Sequence, residues 1–199
     1  MEKRKDGVGT FFARSAAEWR AWLAENHATA QSVWLIIYKK ASDIPSVYYP
    51  EAVDEALCFG WIDSKGNKRN AESYFQFFSK RNPKSNWSGV NKRKIKKLLK
   101  ENRMAHAGLE MVEIAKKSGT WDALNDVENG IVPEDLMNAF EKYPQAAKHF
   151  DAFPKSVKRG ILEWIFNAKR PATRQKRIEE TAALAAENNR AAQWKKDKE

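Results

Sequence analysis

The chain has 199 residues, 36 Lys or Arg against 26 Asp or Glu, and a net charge of +10. That length can bury a sizeable core without covalent staples, the single cysteine, Cys58, excludes an internal disulfide, and no apolar run reaches the length of a membrane span or signal-peptide core. Aromatic content of 12% with eight tryptophans excludes a disordered chain, so the expectation is a soluble, cytoplasmic protein with a ring-rich core.

In chain order, residues 1–9 are polar and charged and read as a flexible arm. Ser15 and Glu18 have capping-box spacing and precede Trp19, Trp22 and Leu23, which predicts a helix over 16–26. Val33 to Lys39 is branched and aromatic, the pattern of a buried strand. Pro50 suits a first helical position, Val53, Ala56 and Leu57 form an apolar stripe, and Gly60 can close that helix. Residues 61–63 and 73–79 are the next strand candidates, joined by a polar connection. From Trp87 onward the pattern is helical. Ile95, Leu98 and Leu99 share one side of a helix with Trp87, and Lys92, Arg93, Lys96, Lys97 and Lys100 line the other. Leu109, Val112 and Ala115 mark a helix ending before Gly119, and Pro133, Pro144, Pro154 and Pro171 can each open another. The expected fold class is α+β: a small antiparallel sheet with flanking helices in the N-terminal half, and a helical C-terminal half packed on it. The expected organisation is an arm (1–9), an α+β region with the signature motifs (10–104), a helical region packed with it as a single unit (105–188), and a fraying tail (189–199).

The charge is concentrated. Residues 73–119 carry 12 basic against 3 acidic side chains, whereas residues 1–72 carry 10 and 10 and residues 120–199 carry 14 and 13. Such a block attracts anions. Next to it lies a nearly uncharged signature, ALCFGWIDS (56–64). It reads either as a sharp helix-to-strand corner or as one wall of a pocket in which Trp61 and Asp63 face the loop 85–91. In that loop, Ser85 or Ser88 can cap the basic helix, with Lys80, Arg81 and Lys84 just before it, the composition of a phosphate or carboxylate site. The alternative is an ordinary cap among solvated lysines. Cys58 falls near a helix C-terminus with no histidine near it in sequence, so it reads as a buried, unreactive thiol. His27, His106 and His149 lack ligand spacing, and no Walker or dinucleotide motif is present, so no metal, cofactor or catalytic residue is assigned. Arg174 lies in line with Ile178 and Ala185 and requires an acidic or carbonyl partner, for which Asp63 or Glu163 is a candidate.

Four blocks, ALCFGWIDS, KRNPKSNWSGVN (80–91), RMAHAGLEMVEIAKKSGTW (103–121) and AKRPATRQKRIE (168–179), resemble in order and spacing the bacterial YdeI/OmpD-associated family, also called bacteriocin-protection proteins. The resemblance spans roughly residues 33–185. One departure is Lys80, Arg81, Asn82 and Pro83, where family members often carry a Pro-Arg-Arg type sequence. The resemblance implies a role in tolerance of bacteriocins or antimicrobial peptides and in stress response, and carries no catalytic residues. A protein of net charge +10 does not attract a cationic peptide at long range, so the implied protection is indirect. The leading expectation is a non-catalytic protein that binds a small anion or anionic partner around Trp61, Asp63, Lys80, Arg81, Lys84, Ser85, Trp87, Ser88, Asn91 and Arg174. The alternatives are nucleic-acid binding through Lys92, Arg93, Lys96, Lys97 and Lys100, and a small-molecule enzyme with Asp63 as base. Oligomeric state is left open.

Overall fold

Asp6 and Gly7 both take positive φ, 51° and 77°, the combination a two-residue hairpin turn of type I′ requires. They join β1 (Arg4–Lys5) to β2 (Val8–Phe12), pairing Arg4 with Gly9 and Lys5 with Val8. The segment expected to be a loose arm therefore enters the sheet, and its Asp-Gly pair was the signal to read. The computed structural model describes residues 4–192. Residues 193–199 of the expected tail lie outside the described residues, and Ala191, just before them, is buried.

In the first half, α1 (Ala16–Asn26), β3 (Ser32–Tyr38), α2 (Tyr49–Cys58), β4 (Trp61–Lys68), β5 (Ser73–Lys80), α3 (Gly89–Lys100) and α4 (His106–Ser118) follow β2. The Ser15 hydroxyl accepts from the Glu18 amide at 3.2 Å, and the Glu18 carboxylate accepts from the Arg14 amide at 2.8 Å, so α1 starts where its capping residues place it. The sheet order is β1-β2-β3-β5-β4. The α+β class holds, but the sheet is mixed where an antiparallel one was expected: β2 and β3 pair in parallel, Thr10 with Trp34, because α1 is a crossover between them.

Strand β3 is buried on both faces. Val33, Leu35 and Ile37 join the main core with Trp19, Leu57, Trp61 and Phe78, while Trp34 and Ile36 pack with Phe75 on the opposite face. The aromatics of β5 alternate accordingly and form no open platform. The main core is built of rings: Trp22 stacks on Phe11 at 5.5 Å and on Trp19 at 5.2 Å and meets Trp61 edge-on at 5.8 Å. The two buried indoles among them are satisfied, since Trp19 Nε1 donates to the Ala52 carbonyl and Trp61 Nε1 to that of His27.

The chain divides into two compact units between Asp122 and Ala123, so the first unit runs past residue 104, where the expected regions meet. The reason is Gly108. A Cβ there would lie 2.2 Å from the Cys58 carbonyl oxygen, so α4 sits directly on the end of α2 and belongs to the first unit. The second unit holds α5 (Asn125–Asn129), α6 (Glu134–Glu141), α7 (Ala146–Ala152), α8 (Lys155–Phe166) and α9 (Pro171–Ala186). Pro133 and Pro154 are N-caps, Pro171 is the first residue of α9, and Pro144 stands two residues before α7. Ile161, Leu162, Ile165, Ile178 and Ala182 fill its core. Among the described residues, no helix is long and apolar enough to cross a membrane.

Gly108→Ala is expected to lower the stability of the first unit by about 1–3 kcal/mol, because backbone must move to admit the methyl group. Gly160→Ala, in α8 with nothing within 4 Å of the added carbon, is expected to raise stability by up to about 1 kcal/mol through helix propensity. Urea titration checks both, the first by tryptophan fluorescence, since six of the eight tryptophans lie in residues 1–122, and the second by far-ultraviolet circular dichroism.

Candidate functional site

Helix α2 cannot continue past Phe59, because Gly60 takes a left-handed φ of 73° and turns the chain into β4. The Gly60 carbonyl accepts from the Arg81 amide at 3.0 Å, joining this corner to the end of β5. From the other side, the Ala105 amide donates to the Cys58 carbonyl at 3.0 Å and brings the start of α4 alongside. Between these segments and the loop after α1 lies a cavity of about 740 Å³. Its walls come from His27 and Ala28, from 59–61, from 80–83, and from the face of α4 that carries Ala107, Met111 and Ile114.

The notable group in that wall is Arg81. It is 5% exposed, and its guanidinium lies on the Trp87 ring at 3.8 Å. Nη2 donates to the Asn86 carbonyl at 2.5 Å, whereas Nε is buried with no hydrogen-bond partner among the described residues. No carboxylate pairs with it among them either. Burial alone therefore lowers its pKa, to about 10. The other cavity groups are already engaged. Lys80 Nζ donates to the Ala28 carbonyl at 2.8 Å. His27 Nδ1 faces the Leu23 carbonyl at 2.9 Å; a carbonyl only accepts, so Nδ1 carries the hydrogen and Nε2 is the ring acceptor. His106 and Glu110 pair at 3.5 Å on the exposed surface of α4.

Of the residues expected to converge, Trp61, Lys80 and Arg81 line this one cavity, and Trp87, 2% exposed, supports Arg81 through ring contact. The others are placed elsewhere. Ser85 Oγ donates to the Asn82 carbonyl at 2.7 Å, and the Lys84 amide donates to the Asn82 side chain, so both build a turn. Ser88 caps α3 by accepting from the Asn91 amide, which uses one of the amides that an anion at this helix end would need. Asp63 accepts from the Tyr49 hydroxyl at 2.7 Å and does not line the cavity; burial and this bond push Tyr49 up to about 12. Arg174 is bidentate to Asp135, at 2.6 and 2.9 Å, in place of the expected Asp63 or Glu163. Cys58 is fully buried, and burial pushes its thiol up.

The basic helix is less free than its charge suggests. Lys94 pairs with Asp54, Lys92 with Asp122 at 3.3 Å, and Lys97 with Glu101 at 3.8 Å, which leaves Arg93, Lys96 and Lys100 without an ion pair among the described residues. Leu99, expected on the core side, is 43% exposed. Sequence reading missed His27, Met111 and Ile114 as cavity residues, because only the close approach at Gly108 brings α4 to the signature corner. It also missed Glu55, buried between Arg20 at 2.7 Å and Arg103 at 2.5 Å. Among the described residues, no group of three or more His, Cys, Asp or Glu side chains is placed to hold a metal ion.

Residues 11–111 match a family described as Domain of unknown function (DUF8412). Residues 129–188 match the family described as Bacteriocin-protection, YdeI or OmpD-Associated. The blocks 56–64 and 80–91 thus fall within the first match, and of the four only 168–179 lies within the second. No curated protein and no solved structure matches the chain.

The block in the second match is accounted for by structure: Arg174 clamps α9 to α6, and Arg177 donates to the Trp164 carbonyl at the end of α8 while lying over the Trp164 ring at 4.8 Å. The hydrogen bond from Arg174 holds Asp135 below its usual pKa. A depressed carboxylate contributes stability above its unfolded value and loses it as pH falls through the folded value. Arg174→Gln is therefore expected to cost about 0.5–1 kcal/mol at neutral pH, since both partners are about a third or more exposed. Urea midpoints taken well below pH 3.8, the ordinary Asp value, should no longer separate it from wild type.

Proposed function

Because the chain belongs to the family of that domain of unknown function and carries a bacteriocin-protection, YdeI- or OmpD-associated region after it, we propose that its first unit is a non-catalytic binding module for a small anion, with Arg81 as anchor. The observation that carries this reading is an arginine that lines the cavity and is only 5% exposed, with no carboxylate paired to its guanidinium among the described residues. A buried charge without a counter-charge costs several kcal/mol, and an anion in the cavity is the partner that offsets this cost. The indole of Trp87 behind the guanidinium fixes its plane, which suits it to planar bidentate acceptors.

The link to bacteriocin protection fits an indirect mode. A cationic peptide is repelled by a protein of charge +10, whereas an anionic small molecule is drawn to it. Tolerance and stress response would then follow from occupancy of the cavity by an anion.

Acetate titrated into the protein, followed by tryptophan fluorescence because Trp61 and Trp87 flank Arg81, is expected to bind saturably and weakly, in the millimolar range typical of a single ion contact (~4 kcal/mol). Binding should weaken at strongly alkaline pH, because burial lowers the pKa of the unliganded guanidinium. Arg81→Met keeps an unbranched stem on Trp87 and removes the unpaired charge; it is expected to abolish binding while leaving the urea midpoint without ligand equal to or above wild type. A large loss of stability in Arg81→Met, with acetate binding undisturbed, would make Arg81 a structural residue and defeat the reading.

A further inference from the structure

Resting on that reading, we infer that the anion is an organic monocarboxylate with an apolar body, an aryl- or alkyl-chain acid, and neither an inorganic ion nor a polyphosphate. Three observations carry this. The first is size: a cavity of about 740 Å³ lies in the range of roughly 300–1,000 Å³ that encloses small organic ligands, whereas one inorganic anion fills a small part of it. The second is the wall. Phe59, Pro83, Ala107, Met111 and Ile114 present carbon to the cavity, and Ile114, 41% exposed, continues that surface to the mouth. Apolar wall of this extent returns free energy only when apolar ligand surface covers it.

The third observation is the charge count. Lys80 gives one hydrogen to the Ala28 carbonyl, and Arg81 is the buried cation of the wall, with its Nε unpartnered among the described residues. Glu110, against His106, adds an acidic group to the same lining. A ligand with three or more negative charges, such as a polyphosphate, would exceed the two cations of the wall, Lys80 and Arg81, and set the excess against a low-dielectric surface beside a carboxylate. A single carboxylate matches the single guanidinium edge, and His27, with Nδ1 already donating, offers Nε2 as acceptor to a hydroxyl or amide on the ligand body.

Isothermal titration of the full chain with four probes tests this: 4-phenylbutyrate, its neutral amide, acetate and pyrophosphate. Phenylbutyrate is expected to bind about 100-fold more tightly than acetate, roughly what burying a phenyl-sized apolar surface gives, and at least about 10-fold more tightly than the amide or pyrophosphate. Ile114→Ser, on a helix face where Ile114 is 41% exposed, should weaken phenylbutyrate by about 10-fold. Acetate and phenylbutyrate binding alike, or pyrophosphate binding more tightly than phenylbutyrate, would overturn the monocarboxylate inference and leave the anion site standing. Equal binding of acid and amide, persisting in Arg81→Met, would remove the role of charge. No binding by any probe would overturn both readings together.

Discussion

The contact on which the first unit depends is the seating of Gly108 against the carbonyl of Cys58. Any side chain at that position would occupy the place of the oxygen, so helix α4 reaches the end of α2 at backbone distance. The Ala105 amide completes the contact by donating to the same carbonyl, which would otherwise be one of the orphan acceptors at a helix end. A second close approach lies nearby: a Cβ on Gly60 would stand 3.0 Å from the Ala107 carbonyl. With α4 held at its first turns by two side-chain-free contacts, Ala107, Met111 and Ile114 come to line the cavity beside the corner.

Arg103 and Arg81 show how differently one cationic group is used in the two settings. Glu55, 5% exposed, receives Arg20 from α1 and Arg103 from the loop before α4, and Arg20 also donates to the Arg103 carbonyl at 2.8 Å. Burial acts to lower the pKa of both arginines, but the bonds to carboxylates outweigh it and raise them. At Arg81 burial acts alone and lowers the value. The first cluster is a tie between three segments of chain, with its charges compensated. The second is a charge with no carboxylate paired to it among the described residues, held by the Asn86 carbonyl and the Trp87 ring.

Much of the fold was legible because it rests on local chemistry. Ser15 with Glu18, Pro50, Gly60, Gly119 and the later prolines all act within a few residues of themselves, and each marks the boundary that the structure shows. The parallel pairing of β2 with β3 was not legible, because it depends on where a crossover helix returns the chain. The candidate site was legible by halves. Trp61, Lys80 and Arg81 are adjacent through strand pairing of the signature with the end of β5, a short-range consequence of a hairpin. The loop serines looked equally suitable from their residue types, but hydroxyls at a turn and at a helix start are consumed by the backbone next to them. The opposite wall was invisible, because α4 lies far along the chain. Its one sequence signal was a glycine inside a helical pattern, which marks a close approach without naming what approaches.

Net charge and bacteriocin protection pull in opposite directions until the charge is resolved by position. Arg93, Lys96 and Lys100 stand on the surface of α3, screened by salt over roughly 8–10 Å, and act on approach: they raise the local concentration of anions and repel cations. Arg81 stands inside, where screening is weak and a single counter-charge counts for more. Surface cations without the buried one would attract anions indiscriminately and hold none in a defined pose. The buried one without the surface cations would hold a ligand that reaches it more slowly. The helix and the cavity belong to the same unit, so on the proposed reading the field of the first would favour an anion in the second. Such a module would discriminate by the shape and apolar surface of its anion, because its charge alone would accept any.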